Sequence, residues 1–276
     1  MVELRISSGT MADLPELYAL RESFGWLPAD WFMPAALAHG ALLLCARDTA
    51  GILVATGCGV AFPPVGYVSN MMVRPDLQGQ GIGQRLLRQL LDWFPGQGIE
   101  RVDLEATDAG YPMYARHFGF VPRWPGHTAV LRTSPLLSHG ARTARDADWE
   151  AIGRLDRAAY GGDRRIFLRE LADAADTIIA VAEREGRVTA FGMATGARLG
   201  PLVAETEASA ETVASLLLTH TAPGLRLQIG GAPNAGAFWS RLGFEILPSH
   251  DTRMTWGPAP NDRPEMVYAV IHGALG

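Results

Sequence analysis

The feature of this sequence that most constrains its fold is a glycine-rich loop between an apolar segment and an amphipathic segment. Residues 67–73 are mainly apolar, and glycines follow at the alternate positions Gly79, Gly81 and Gly83. Glycine adopts positive φ angles readily, so successive N–H groups in such a loop can point into one concavity that attracts anions. The sequence therefore predicts a buried strand that leads through an anion-binding loop.

The residues after the loop have the periodicity of an amphipathic helix, which Pro95 and Gly96 terminate. Its apolar face consists of Ile82, Leu86, Leu87, Leu90, Leu91 and Phe94. The first N–H groups of a helix are free, and together with the helix dipole they bind phosphate. The order of strand, glycine loop and helix therefore predicts a phosphate site.

The spacing of the loop excludes two common phosphate motifs. A Walker loop needs a Lys after its last glycine, where this chain has Gln84, and a dinucleotide loop counted from Gly79 needs a glycine at that same position. The pattern that fits is Q/R-x-x-G-x-G/A, which Gln78, Gly81 and Gly83 satisfy.

This pattern resembles the coenzyme A pyrophosphate loop of the GNAT superfamily of N-acetyltransferases, and the surrounding elements follow that family's order. The resemblance implies acetyl-CoA as cosubstrate, without a metal. It also implies that backbone groups at the end of the preceding strand bind the pantetheine or the thioester carbonyl. The residues expected to bind the cosubstrate are Met71, Met72, Val73, Gln78, Gly79, Gln80, Gly81, Ile82, Gly83 and Gln84.

The chain has 276 residues, enough for two domains, and its second half repeats the element order of the first. We therefore expect a mixed α/β protein with two GNAT-like domains in tandem, each a mixed, mostly antiparallel sheet flanked by helices. The expected first domain is 1–133, with 127–132 as its last strand. A linker at 134–140 and a second domain at 141–276 follow.

The second half lacks the glycine loop. No glycine occurs between Glu205 and Val213, and Glu205, Glu207 and Glu211 occupy the segment where phosphate-binding amides would lie. Carboxylates in that segment would repel a pyrophosphate. We therefore expect a degenerate, catalytically silent second domain and one coenzyme A site per chain.

Acyl transfer to an amine requires a base, because an alkylamine with a pKa near 10.4 is only about one part in two thousand neutral at pH 7. Glu105 is our first choice, since it lies late on the strand that in GNAT folds separates from the strand before the glycine loop. Asp103, Asp108, Glu22 and His39 are alternatives. The other interpretation of Glu105 is a solvated strand carboxylate.

In the resembling family a Tyr four residues before the glycine of a Gly-Phe pair commonly protonates the departing thiolate. The pair here is Gly119-Phe120, and Ala115 occupies the strict position. Tyr114, one residue earlier, is the candidate general acid, and Tyr111 is the second choice.

The segment after the first helix borders the acceptor pocket in the resembling family. We expect Glu22, Phe24, Trp26 and Trp31 to bind the acceptor, with the aromatic rings available for cation–π contact to an amine. Packing in the core is the alternative interpretation of these rings.

Charge and composition restrict the partners. The net charge of −5 gives no basic face for nucleic acid, and the N-terminal sequence has neither a signal peptide nor a membrane span, so we expect a cytoplasmic protein. The histidines and Cys45 and Cys58 form no metal-binding pattern, and both cysteines are expected to be small buried thiols. A homodimer is left open.

The leading functional hypothesis is an acyl-CoA-dependent N-acyltransferase, using acetyl-CoA, that acts on the primary amine of a small molecule or amino acid. The acyl group would transfer by direct attack in a ternary complex. One alternative is acetylation of protein N-termini or lysines. Another, of a different class, is a non-catalytic acyl-CoA sensor.

Overall fold

The structure is a computed structural model that describes residues 3–26, 31–133, 139–174, 176–221, 224–248 and 251–271. Two sheets with helices packed against them confirm the expected mixed α/β class. The strands of the first half are β1 Arg5–Ser8, β2 Leu42–Arg47, β3 Leu53–Phe62, β4 Val65–Val73, β5 Arg101–Ala106, β6 Val121–Gly126 and β7 Thr128–Leu131. Its helices are α1 Leu14–Ser23, α2 Phe32–Ala38, α3 Ile82–Trp93 and α4 Tyr111–Phe118.

The second half contributes the remaining elements. Its strands are β8 Ala141–Thr143, β9 Ile178–Arg184, β10 Arg187–Thr195, β11 Arg198–Ala204, β12 Arg226–Ile229, β13 Phe244–Ile246, β14 Asp251–Trp256 and β15 Val267–Val270. Its helices are α5 Trp149–Tyr160, α6 Arg165–Asp173, α7 Glu207–Leu218 and α8 Ala235–Arg241. Within the described ranges, no helix is both long enough and apolar enough to cross a membrane.

The two sheets exchange one strand each. The first sheet has the order β1-β2-β3-β4-β5-β14-β6, and the second has the order β13-β7-β12-β15-β11-β10-β9-β8. The expectation that 127–132 ends the first domain's sheet was therefore wrong, because β7 lies in the second sheet. Periodicity predicts a strand but not the sheet it joins, and only His127 separates β6 from β7. The domain boundary at 134–140 remains a prediction.

The first sheet opens between β4 and β5. These parallel strands pair from Val65 with Arg101 to Val68 with Leu104, and no further register pair follows in the described strands. A bulge in β4 accompanies the separation, where the pairing with β3 shifts between Thr56 and Cys58. Asn70 lies in this bulge with a φ of 49°. The strands therefore form a wedge-shaped opening.

The second sheet is filled at the equivalent place. β15 pairs with both β11 and β12 and lies between them. The direct pairing of β11 with β12 is confined to Arg198 opposite Arg226. A strand of the protein itself thus occupies the gap that stays open in the first sheet.

Three apolar clusters hold the elements together. One joins the two halves, and in it Phe62 of β3 and Phe32 of α2 lie around Phe167 of α6, with ring centroids 5.2 and 6.5 Å from the Phe167 ring. The others lie under α3 and α4 on the first sheet and under α7 and α8 on the second. The shared cluster fixes the second half against the first.

A buried ion cluster ties β14 into the first sheet. Asp103 of β5 accepts hydrogen bonds from Arg101 at 3.1 Å and from Arg253 of β14 at 3.0 Å. Asp262 pairs with Arg101 at 2.9 Å and with Arg123 at 2.6 Å. Burial raises the pKa of Asp103, but the guanidinium charges outweigh burial and hold that pKa below its usual value. This carboxylate is therefore engaged in the sheet, and we discard it as a catalytic base.

We expect Asp103→Ala to destabilise the protein by about 3–5 kcal/mol, because it leaves Arg253 and Arg101 buried without their shared anion. Urea denaturation measures the loss. The control is Glu245→Ala, which removes the exposed partner of Arg132 and should leave the unfolding midpoint nearly unchanged. An equal, small effect of both substitutions would contradict a stabilising role for the buried cluster.

Candidate functional site

A cavity of about 660 Å³ includes the glycine loop, the opening between β4 and β5, and surfaces of both halves. The first half contributes the loop, the bulged part of β4 and the beginning of α4. The second half contributes Arg198, Arg226, Gln228 and Asp251. The strand exchange thus makes the cavity a joint product of the two halves.

The glycine loop is shaped to receive an anion. Gly79 and Gly81 have φ angles of 75° and 78°, and a Cβ at either position would meet no atom within 4 Å. The side-chain amide (Nε2) of Gln78 donates a hydrogen bond to the Val73 carbonyl at 2.9 Å and so connects the loop to β4. α3 begins at Ile82 behind Gly81, which has no side chain to cap it. The first N–H groups of α3 are therefore directed at the open side of the loop.

Most of the residues expected to bind the cosubstrate line this cavity: Met71, Val73, Gln78, Gly79, Gly81, Ile82, Gly83 and Gln84. Two of them differ. The Met72 side chain is buried in the core shared by the halves, on the other face of β4, and Gln80 is exposed outside the cavity lining.

The equivalent helix terminus in the second half is capped by protein groups. The Thr206 hydroxyl accepts a hydrogen bond from the Ser209 amide at 3.2 Å, at the start of α7. Glu205 is paired with Arg187, and Glu207 with Arg241. With β15 also filling the sheet, this half offers no counterpart of the glycine loop in the part of the chain that the structure describes.

Glu105 lies on β5 just beyond the last residue paired with β4, and its carboxylate lines the cavity. Gln228 of β12 lines the same cavity, and its side-chain amide favours the ionised form of Glu105. Burial raises the pKa of Glu105 to about 7, the negative charge of Asp251 adds to this effect, and Arg253 opposes it. Ionised and protonated forms therefore coexist at neutral pH, as a general base or acid requires.

Tyr114 of α4 also lines the cavity. Its side chain is buried and packs edge to face against Phe120, with ring centroids 5.8 Å apart. Burial raises the pKa of Tyr114, so the phenol holds its proton through neutral pH. Tyr111, the second choice for a general acid, packs into the cluster beneath α3 and α4 and is not part of the cavity lining.

The residues expected at the acceptor pocket divide into two groups. Phe24 and Trp26 line the cavity, with ring centroids 5.7 Å apart. Glu22 is exposed outside the lining, and Trp31 packs against Phe32 and the shared core. The reason is local, because helical geometry turns Glu22 away from the buried face of α1. Residues 27–30, between Trp26 and Trp31, lie outside the described residues.

Several cavity residues are absent from the expectations based on sequence. Arg21 of α1 is buried, stacks over the Trp26 ring at 5.6 Å and donates to Asn70 in the β4 bulge. Arg198 and Arg226 come from the second half. Arg21 directly precedes Glu22, which we expected at the pocket, so the sequence indicated this part of the chain but not this residue. Nothing in the sequence of the second half indicated that its arginines reach the site.

Two of the alternative bases and both cysteines lie outside the cavity lining. His39 pairs with Glu170 at 2.8 Å on the surface, and Asp108 is exposed outside the cavity lining. Cys45 and Cys58 are free thiols, and burial raises their pKa values to about 11 and about 12. Neither thiol is thus ionised at neutral pH, so a covalent acyl-enzyme has no support.

Comparison with known proteins agrees with this geometry. Residues 11–120 match the acetyltransferase (GNAT) family, and residues 152–269 match an acetyltransferase (GNAT) domain. The chain belongs to the GNAT family of N-acetyltransferases and carries two of its domains in tandem. The resemblance based on the glycine loop is thereby confirmed.

Individual relatives are distant in sequence. The chain is 23% identical over 230 residues to the uncharacterized N-acetyltransferase YitH of Bacillus subtilis strain 168, a match covering 76% of each protein. A crystal structure named "Putative Acetyltransferase" from Pyrococcus horikoshii matches with a TM-score of 0.84 at 20% identity, covering 99% of this chain and 96% of that one. A tandem GNAT protein from the clavulanic acid biosynthesis pathway matches with a TM-score of 0.60 at 17% identity, covering 94% and 100%. These structures share the fold.

We expect one coenzyme A to bind per chain, and Gly81→Glu to abolish that binding. A side chain at Gly81 is strained by the φ of 78° but has open space around it, so the carboxylate extends in front of the α3 amides and excludes the pyrophosphate. Isothermal titration calorimetry with acetyl-CoA measures both affinity and stoichiometry.

Two matched controls accompany this variant. Gly98→Glu adds the same charge beyond the other end of α3, at a glycine that likewise has a positive φ (71°) and open space, and Glu207→Ala alters the second half; neither should change the affinity for acetyl-CoA. Two equivalent sites, or undiminished binding by Gly81→Glu, would show that the glycine loop is not the single site.

Proposed function

We propose that this chain transfers the acetyl group of acetyl-CoA to the primary amine of a small molecule or amino acid, by direct attack within a ternary complex. The observation that carries the proposal is one cavity that joins the glycine loop to Glu105 and Tyr114 through the opening between β4 and β5. This continuity brings an anion-binding loop, a titrating carboxylate and a protonated phenol within reach of a single bound cosubstrate.

The cosubstrate would be held by backbone groups of the first half. The amides at the start of α3 suit its pyrophosphate, and the β4 backbone beyond Val68, which β5 leaves unpaired, suits the amide groups of its pantetheine arm. A buried backbone donor or acceptor without a partner is costly, so the opening itself favours a ligand of this kind.

The proton balance follows from the positions of Glu105 and Tyr114. Glu105, directly or through a water, takes a proton from the acceptor ammonium, and the neutral nitrogen attacks the thioester carbonyl. A second proton passes from the nitrogen to solvent water as the tetrahedral intermediate collapses and the carbon–sulfur bond breaks, and Glu105 then releases its own proton to solvent. The departing thiolate takes the phenolic proton of Tyr114, which solvent then restores. A single well-placed N–H donor of β4 at the carbonyl oxygen is worth roughly 3 kcal/mol of transition-state stabilisation.

Two observations favour this function over its alternatives. A pure acyl-CoA sensor has no use for a carboxylate whose pKa is about 7 at the opening between β4 and β5. Acetylation of protein lysines or N-termini needs room for a peptide. The second half covers part of this cavity with Gln228 of β12, the register partner of Thr128, and with Arg198 of β11. Both features support turnover of a small acceptor.

We expect kcat/KM for the acceptor to rise with pH through an apparent pKa of about 7, because Glu105 must be ionised to act as the base. Glu105→Gln should remove this limb and lower kcat/KM by roughly 10²–10⁴-fold at pH 8. Release of free coenzyme A over a pH series measures both effects. If Glu105→Gln shows the same pH profile as the wild type, a group other than Glu105 is the base.

Tyr114→Phe is expected to lower kcat by roughly 10²-fold while leaving the acetyl-CoA affinity nearly unchanged, because it removes only the proton donated to the thiolate. Steady-state kinetics and calorimetry separate the two quantities. Tyr111→Phe, on the same helix but outside the cavity lining, is the matched control and should retain kcat. An unchanged kcat for Tyr114→Phe between pH 6 and 9, with chemistry rate-limiting, would exclude Tyr114 as the general acid.

A further inference from the structure

The cavity wall from the second half contains a pair of arginines in an unusual arrangement. Arg198 of β11 and Arg226 of β12 are register partners on adjacent parallel strands, so their side chains leave the sheet on the same face. Adjacent strands are only about 4.8 Å apart, and like charges at that spacing repel each other. An anion bound between the two guanidinium groups would relieve this repulsion.

Neither arginine has a hydrogen-bonded or ion-paired side-chain partner among the residues that the structure describes. Other arginines of the protein are engaged: Arg101 and Arg253 pair with Asp103, Arg123 with Asp262 and Arg164 with Asp156, and Arg21 donates to Asn70. Arg198 is half-buried and Arg226 is exposed on the cavity side. Burial and the charges of Arg21 and Arg226 lower the pKa of Arg198 to about 10. Burial is the main cause of this lowered pKa, and the two neighbouring positive charges add to it.

The arginine pair is next to the proposed base. Arg226 and Gln228 are two residues apart on β12 and therefore share a face, and Gln228 lines the cavity together with Glu105. Arg198, Arg226, Gln228 and Glu105 all line the one cavity. An anion bound by the arginines therefore lies in the same compartment as an amine that Glu105 deprotonates.

From these observations we propose that the acceptor is an aminocarboxylate, whose carboxylate group binds Arg198 and Arg226 while its amine faces Glu105. The inference rests on the proposed acetyl transfer for the reaction, and adds the chemical class of the acceptor. Guanidinium groups bind carboxylates through paired hydrogen bonds, and two of them surrounding one carboxylate remove their mutual repulsion. The product is an N-acetylated amino acid.

The other charges of the cavity favour a carboxylate over a phosphate. Glu105 and Asp251 also line it, and a dianionic group would be repelled by both more strongly than a monoanion. The phosphates of the cosubstrate have their own site at the α3 amides. Among the described lining residues the cationic side chains are Arg21, Arg198 and Arg226, all on the acceptor side formed by α1 and the second half.

A matched acceptor panel tests the proposal. L-amino acids, the carboxamides of the same side chains, the decarboxylated amines and the corresponding aminophosphonates are compared by acetyl-CoA-dependent release of free coenzyme A. We expect kcat/KM for the carboxylates to exceed that of the carboxamides and amines by about 10²-fold or more. Equal use of carboxamides or amines, or a preference for the phosphonates, would overturn the assignment.

Two variants connect the preference to the residues. Arg198→Gln and Arg226→Gln should each raise the KM for an amino acid by about tenfold or more, with an unchanged Kd for acetyl-CoA. Arg184→Gln makes the same change of charge on an exposed part of β9 and should leave KM unchanged. Thermal unfolding confirms folding, and if Arg198→Gln does not fold, the exposed Arg226 decides the question. A folded Arg226→Gln protein with wild-type KM would contradict the proposal.

Product binding separates this inference from the proposed reaction. N-acetyl-L-amino acids are titrated calorimetrically into the wild-type protein saturated with free coenzyme A, and into the same complex of Arg226→Gln. Binding by the wild type that weakens tenfold or more in Arg226→Gln supports the carboxylate site even if no amine is turned over, in which case the proposed acetyl transfer alone fails. Turnover of neutral amines without any binding of the N-acetyl amino acids overturns the carboxylate site alone.

Discussion

The separation of β4 from β5 is the constraint on which the rest of the site depends. The two strands share four register pairs and then separate at a bulge in which Asn70 has a positive φ. Backbone groups buried without partners cost free energy, so the opening is stable only where something other than a neighbouring strand can pair with them. The glycine loop follows the end of this opened segment after the short turn Pro75–Leu77, and Glu105 lies one residue beyond the last register pair, where the opening begins. The location of both follows from where the pairing of the sheet ends.

The second half shows the alternative solution to the same constraint. There β15 pairs with the strands on both sides, and Thr206 caps the helix that follows. The closed sheet no longer has a slot for a ligand, and its central strands β11 and β12 present Arg198, Arg226 and Gln228 to the cavity of the first half. A duplicated domain has thereby become a wall of the other copy's site.

The parts of the site that could be predicted from sequence lie in one continuous stretch of chain. The glycine loop and α3 follow from spacing and periodicity, because their geometry is set by residues close in sequence. Glu105 and Tyr114 were expected from the resemblance to the GNAT family, and both line the cavity. The strand exchange and Arg198 and Arg226 could not be predicted, since an alternating pattern does not determine which sheet a strand joins. Trp31 packs against the shared core and is outside the cavity lining for a related reason: an aromatic ring is stable in either setting, and tertiary contacts such as the one with Phe32 decide between them.

The exchanged strands also determine when each sheet can be completed as the chain folds during synthesis. The chain emerges from its N-terminus, yet the first sheet lacks the strand between β5 and β6 until residue 256 has been made. Until then β5 has an exposed edge, and Asp103 lacks its ion-pair partner Arg253, which lies 150 residues downstream. The nascent first half is therefore an unfinished sheet during most of synthesis, in need of protection from pairing with other chains. Neither half could be transplanted alone into another protein as a finished module.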